Sequence, residues 1–196
     1  GNLTGRHAEG NLTTISNPPG QRFSFAKYPT TGSDILPQLL HEHQAGFVNR
    51  VLEAGYRART ALHAGNGKLT PAQATELDEQ AKIVTRYLLF ADEVQLPSGG
   101  VEGDAAYKAD FLSTRRATPD GIALKDLDLR TRLFKHRCSY MIYSPVFTAL
   151  PVLMKERIYR TLASALNTTK PDKDYAYLPG AEKEAIRRIL AATLPG

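Results

Sequence analysis

Between Leu36 and Leu62, apolar or small side chains recur at Leu36, Leu40, Phe47, Val51, Ala54, Ala58 and Leu62. This is the spacing of one face of an α-helix about seven turns long. A stripe of that length has to be buried against other helices, because packing of the apolar face supplies most of a helix's stability. Local signals bound the element. Ser33 or Asp34 can cap its start, and Pro37 is tolerable only within its first turn. Gly65-Asn66-Gly67 supplies residues that enter the left-handed region at low cost, which ends it.

A second helix restarts at Thr70-Pro71, with the threonine as cap and the proline at the first helical position. Its buried stripe reads Leu77, Ala81, Val84, Leu88 and Ala91, and Asp92-Glu93 close it. Acids oppose the dipole at a helix C-terminus, which hints at another use for this pair. Asp104 caps a short helix through Phe111. A polar connection with a turn at Pro119-Asp120-Gly121 follows, then a short helix over 124–133. The apolar stretch 138–144 reads equally as buried helix or buried strand. Pro151 opens a helix with apolar positions Leu153, Ile158, Leu162 and Leu166. In a last helix Ala181, Ala185, Ile189 and Leu190 face inward, while Glu182, Lys183, Glu184, Arg187 and Arg188 face outward. Residues 1–32 are rich in Gly, Thr, Asn and Pro and lack periodicity, so they read as an extended arm packing through Phe23, Phe25 and Tyr28. The expected organisation is an arm at 1–32 and one helical domain at 33–196. Its fold class is all-α: an irregular bundle with two long antiparallel helices and shorter helices packed across them.

Composition removes several function classes. The chain has 196 residues, a formal charge of +5, and one cysteine, Cys138. An internal disulfide, a cysteine-based zinc site and a covalent haem attachment motif are therefore impossible within this sequence. The longest uncharged run, Cys138 to Met154, is 17 residues, is broken by Pro145 and Pro151, and falls short of a membrane span. Basic residues are scattered rather than gathered into a stripe, so no nucleic-acid partner is expected. The net positive charge suits an acidic partner. The opening residues contain no leader-like apolar segment and read as the middle of a longer protein.

His41-Glu42-His43 draws attention first. Residues two apart on a helix point about 200° from each other, so the two imidazoles cannot grip one ion. Neither HExxH nor ExxH occurs. A metal site would need His43, on the apolar stripe, to meet His63, Asp92 and Glu93, with Glu42 beside it. That gives the candidate set Glu42, His43, His63, Asp92 and Glu93 for a bound metal ion. The alternative is a core histidine satisfied by one polar neighbour. Asp92 and Glu93 equally suit pairing with arginines from 115–137. Cys138, beside Arg137 and two residues from His136, suits a thiolate nucleophile or an inert core cysteine. Arg130, Arg132 and Arg137 form a basic group fit for an anion, or for pairing with Asp126, Asp128 or Asp92. No glycine-rich phosphate loop and no GxSxG elbow is present.

Several segments resemble one family. Glu42-His43-Gln44, Ala61-Leu62-His63 and Leu88-Leu89-Phe90-Ala91-Asp92-Glu93 are similar to a series in a family of exported bacterial proteins. So are Asp128-Leu129-Arg130-Thr131-Arg132-Leu133-Phe134, Cys138-Ser139-Tyr140-Met141-Ile142-Tyr143-Ser144 and Arg6-His7-Ala8-Glu9-Gly10-Asn11. The family's longer members carry a c-type cytochrome segment with CxxCH ahead of this region. The resemblance implies a periplasmic or otherwise exported helical region working beside a haem-bearing domain or redox partner protein. The haem would sit on a segment N-terminal to this one, since no CxxCH occurs here. Three functions are expected in turn: a redox-associated docking module approached by His7, His43 or His63, a His/carboxylate metal site with or without enzymatic activity, and a structural interaction module.

Overall fold

The computed structural model describes residues 34–170 and 172–194, together with the backbone of 2–4 and 14–16. The described residues contain six α-helices: α1 (Ile35–Ala64), α2 (Pro71–Leu88), α3 (Ala105–Ser113), α4 (Pro145–Thr148), α5 (Val152–Ala165) and α6 (Gly180–Thr193). The fold is the expected all-α bundle. One difference lies in the arm, where β1 (Asn2–Thr4) pairs antiparallel with β2 (Thr14–Ser16). The predicted packing of Phe23, Phe25 and Tyr28 falls outside the described residues.

Local chemistry sets the helix ends. Asp34 caps α1 by accepting the Leu36 N–H at 3.0 Å. Its second oxygen accepts the Asp104 N–H at 2.7 Å, which ties the start of α1 to the start of α3. Asn66 and Gly67 terminate α1 at φ of 47° and 86°. At the start of α2, Gln73 N–H donates to Thr70 Oγ1 and Thr70 N–H donates to Gln73 Oε1, a reciprocal pair that satisfies two otherwise orphaned donors.

The first two helices are antiparallel. Arg57 pairs with Glu76 near their connection, and the Tyr87 hydroxyl donates to the His43 carbonyl far from it. Gly46 permits that second approach, since a Cβ there would collide with the Tyr87 hydroxyl. Arg157 of α5 pairs with Asp78 of α2 at 3.0 Å, and Arg59 of α1 donates to the Ala149 carbonyl ahead of α5. The core joins Leu40, Phe47 and Val51 of α1, Leu77, Val84 and Leu88 of α2, Met154 and Ile158 of α5, and Ile186 and Ile189 of α6. No helix among the described residues is long and apolar enough to cross a membrane.

Three expectations need correction. Residues 124–133 are not helical. They form a tight hairpin in which Lys135 N–H donates to Asp126 O, Asp128 N–H to Leu133 O, and Leu129 N–H to Arg132 O. The Asp128 carboxylate accepts from Thr131 Oγ1 at 2.6 Å, a local bond that competes with the helix, and Leu129 reverses the chain at φ 61°. The segment 138–144 is neither long helix nor strand but a single buried 3₁₀ turn over Tyr140–Tyr143. The face of α6 is also rotated: Lys183, Ile186, Ile189 and Leu190 are buried and Ala181 is exposed. An ion pair from Glu182 to Arg137 draws that side of α6 inward.

Candidate functional site

A cleft of about 690 Å³ opens between α1, the end of α2 and the loop that follows. Glu42, His43, Asp92 and Glu93 all line it. The local turn explains how. Helix α2 ends at Leu88, so Asp92 and Glu93 lie beyond it and the expected clash with the helix dipole does not arise. Ala91 N–H donates to Arg86 O at 3.0 Å and Phe90 N–H to Tyr87 O at 3.2 Å, the paired bonds of a Schellman cap. Phe90 occupies the left-handed position of that cap at φ 54°, where glycine is the usual residue. The conformation costs about 1–2 kcal/mol relative to ordinary helical geometry. It carries the Phe90 ring onto the His43 imidazole, centroids 4.7 Å apart and planes 16° from parallel.

His43 is held from several elements. The Tyr87 ring runs parallel to it at 5.5 Å, and Phe134 meets it edge-on at 5.8 Å. Its Nε2 lies 2.7 Å from Ser139 Oγ. That oxygen also accepts the Met141 N–H at 3.1 Å and keeps both a proton and a second lone pair for His43, so either neutral tautomer completes the pair. Burial pushes the His43 pKa down to about 4, so the ring is neutral at pH 7. Ser139 is fully buried and does not line the cleft.

Around this aromatic floor the cleft is mixed in character. Leu39, Ile83, Val94, Leu96 and Leu133 supply apolar wall. Arg50 donates to the Gly46 carbonyl at 2.9 Å and lies over the Tyr87 ring at 4.2 Å. Exposed Asp92 is bound by Arg86 at 2.9 Å. Half-buried Glu93 accepts the Leu133 N–H at 3.3 Å, and burial raises its pKa. Asp92 thus pairs outside the arginines of 115–137, whereas the charges of Arg132 and Arg137 act on Glu93 and oppose its rise.

The expected five-residue metal set does not assemble. His63 is exposed in the last turn of α1. It lies on the same helix as His43, 20 residues on, which is about 30 Å along the axis. Among the described residues no group of three or more His, Cys, Asp and Glu side chains is placed to hold a metal ion.

The cysteine and arginine candidates have structural partners. Cys138 is fully buried, and desolvation pushes its thiol up to about 12. The adjacent Arg137 does not activate it. Its backbone N–H and guanidinium Nε donate to Glu182 Oε1 at 2.8 and 3.1 Å. Arg132 shares Glu182 at 3.5 Å and also faces Asp128 at 3.9 Å. Asp126 pairs with Arg115 at 2.7 Å. Only Arg130 of the three remains exposed without an ion pair among the described residues.

Sequence reasoning missed Ser139, Tyr87, Phe90 and Glu182. Tyr87 and Phe90 carried a usable signal, since residues three apart at a helix end can flank one side chain. The other two act across 96 and 45 positions of chain and left no local trace.

No family model, curated protein or solved structure matches the chain. What fold and site define together is an all-α domain with a cleft of mixed polarity beside a buried neutral histidine.

Proposed function

We propose that this domain is a docking module whose α1–α2 cleft receives a partner protein, and that the partner is a haem-bearing redox domain of the kind the family resemblance implies. The carrying observation is the exposed apolar wall of the cleft. Val94 is 86% exposed and Ile83 45% exposed, and charged Glu42, Arg50, Arg86 and Asp92 line the same cleft. Exposed apolar side chains beside charged ones are what a protein interface covers. Cys138 and Ser139 are both fully buried, so neither presents a thiol or hydroxyl nucleophile to the cleft. The net charge of +5 favours association with an acidic partner surface. In this reading the chain is exported to the periplasm with its partner, and His43 braces the cleft floor rather than binding haem or metal.

The test is an NMR titration of the isotope-labelled chain with a c-type cytochrome domain from the family. Shifts are expected at Leu39, Ile83, Tyr87 and Val94. Val94→Asp should weaken binding about tenfold, the equivalent of about 1.4 kcal/mol. No shifts, or shifts indifferent to that substitution, overturn docking at this cleft.

A further inference from the structure

A second, smaller pocket of about 200 Å³ shares no lining residue with the α1–α2 cleft. Its polar side chains are set up as donors. Lys125 Nζ donates to the Phe111 carbonyl at 3.1 Å and to Thr114 Oγ1 at 2.6 Å. An ammonium has three N–H groups, so one remains unclaimed. The same ammonium rests 4.5 Å from the Phe111 ring centre and 5.1 Å from that of Tyr140, which fixes its position. Thr114, having accepted from Lys125, keeps its own hydroxyl proton to donate. Arg116 lies over Tyr143 at 4.7 Å and makes no ion pair or side-chain hydrogen bond among the described residues.

No carboxylate and no side-chain amide lines this pocket. Asp110 acts on Lys125 electrostatically but does not line the pocket, and Asp126 is committed to Arg115. Burial lowers the Lys125 pKa, and the nearby charge of Asp110 opposes that shift only in part. Two held cations without an anion describe half of a binding site. The other half of the wall is apolar, made by Met141 and the Tyr140 and Tyr143 rings, with fully buried Leu124 behind them.

We propose that this pocket binds a small organic carboxylate, with its oxygens between Arg116 and Lys125 and its apolar body against Met141 and the Tyr140 and Tyr143 rings. Arginine presents a planar fork that matches a carboxylate, and lysine adds a point charge. A bare inorganic anion would leave the apolar wall unused. The proposal stands independently of docking at the α1–α2 cleft.

The probe is benzoate, with neutral benzamide and inorganic phosphate as comparisons, read by NMR titration of the intact chain. Benzoate is expected to shift Thr114, Arg116, Lys125 and Tyr140 with a Kd of about 1 mM. Arg116→Gln and Lys125→Met should each weaken it about tenfold, and benzamide should not bind measurably. Arg116 is exposed, so its substitution leaves the fold intact and the loss reports binding alone. Benzamide binding as well as benzoate, phosphate binding more tightly than benzoate, or benzoate shifts that survive both substitutions would each overturn the proposal.

Discussion

Protonating His43 opposes folding, and the size of that opposition follows from where the imidazole lies. The ring is 7% exposed, stacked against Phe90, and bonded through Nε2 to Ser139. Burial lowers its pKa from 6.5 to about 4. Above pH 6.5 the ring is neutral in both folded and unfolded chains, so it adds no pH dependence. Between 6.5 and about 4 the unfolded chain takes up a proton that the folded chain refuses, and stability falls as pH falls. Below about 4 the loss is complete and amounts to about 3 kcal/mol. That is a large share of a typical stability of about 5–15 kcal/mol. The assay is urea unfolding at a series of pH values for the native chain and for His43→Gln, whose amide reaches Ser139 and does not titrate. Comparing the two curves cancels other groups. Those include Glu93, whose raised pKa makes protonation favour the fold, and Glu182, whose lowered pKa makes stability fall as it protonates. Between pH 7 and pH 4 the native chain should lose about 3 kcal/mol more than the variant. Parallel curves would refute the burial argument.

Other outcomes follow from the same contacts. Ser139→Ala strands His43 Nε2 and the Met141 N–H in the core and should cost about 2–3 kcal/mol, seen as a lower urea midpoint at unchanged slope. Phe90→Gly should be less damaging than Phe90→Ala by about 1 kcal/mol in the same assay, because glycine relieves the left-handed backbone while alanine keeps it. Glu182→Ala removes the acceptor for both the Arg137 backbone and its guanidinium and should cost about 2–3 kcal/mol by thermal unfolding. Cys138, buried and with its pKa raised to about 12, should resist a thiol reagent under native conditions and react fully in denaturant.

Much of the helical framework was legible residue by residue. The stripe from Leu36 through Ala58 is the buried face of α1, with Asp34 as its cap and Gly65-Asn66-Gly67 as its stop. Thr70-Pro71 starts α2, and Asp104 caps α3. These signals act over three or four residues, so they survive translation from chain to fold. The 124–133 hairpin was misread because its apolar spacing suits a helix, while the bond from Thr131 to Asp128 and the reversal at Leu129 outweigh it.

The site shows the other side of the division. Sequence alone established which polar residues ride on or beside apolar faces, His43 among them, and that one cysteine excludes an internal disulfide within this sequence. It placed His43 and His63 in one candidate set, although their separation along a single helix keeps them far apart. Tertiary structure decided that His43 meets Ser139 from the far end of the chain and that Glu182 takes Arg137 and Arg132. Helix ends and stripes are written in neighbouring residues, whereas the partner of a buried polar atom is chosen by whichever group the packed helices bring within bonding distance.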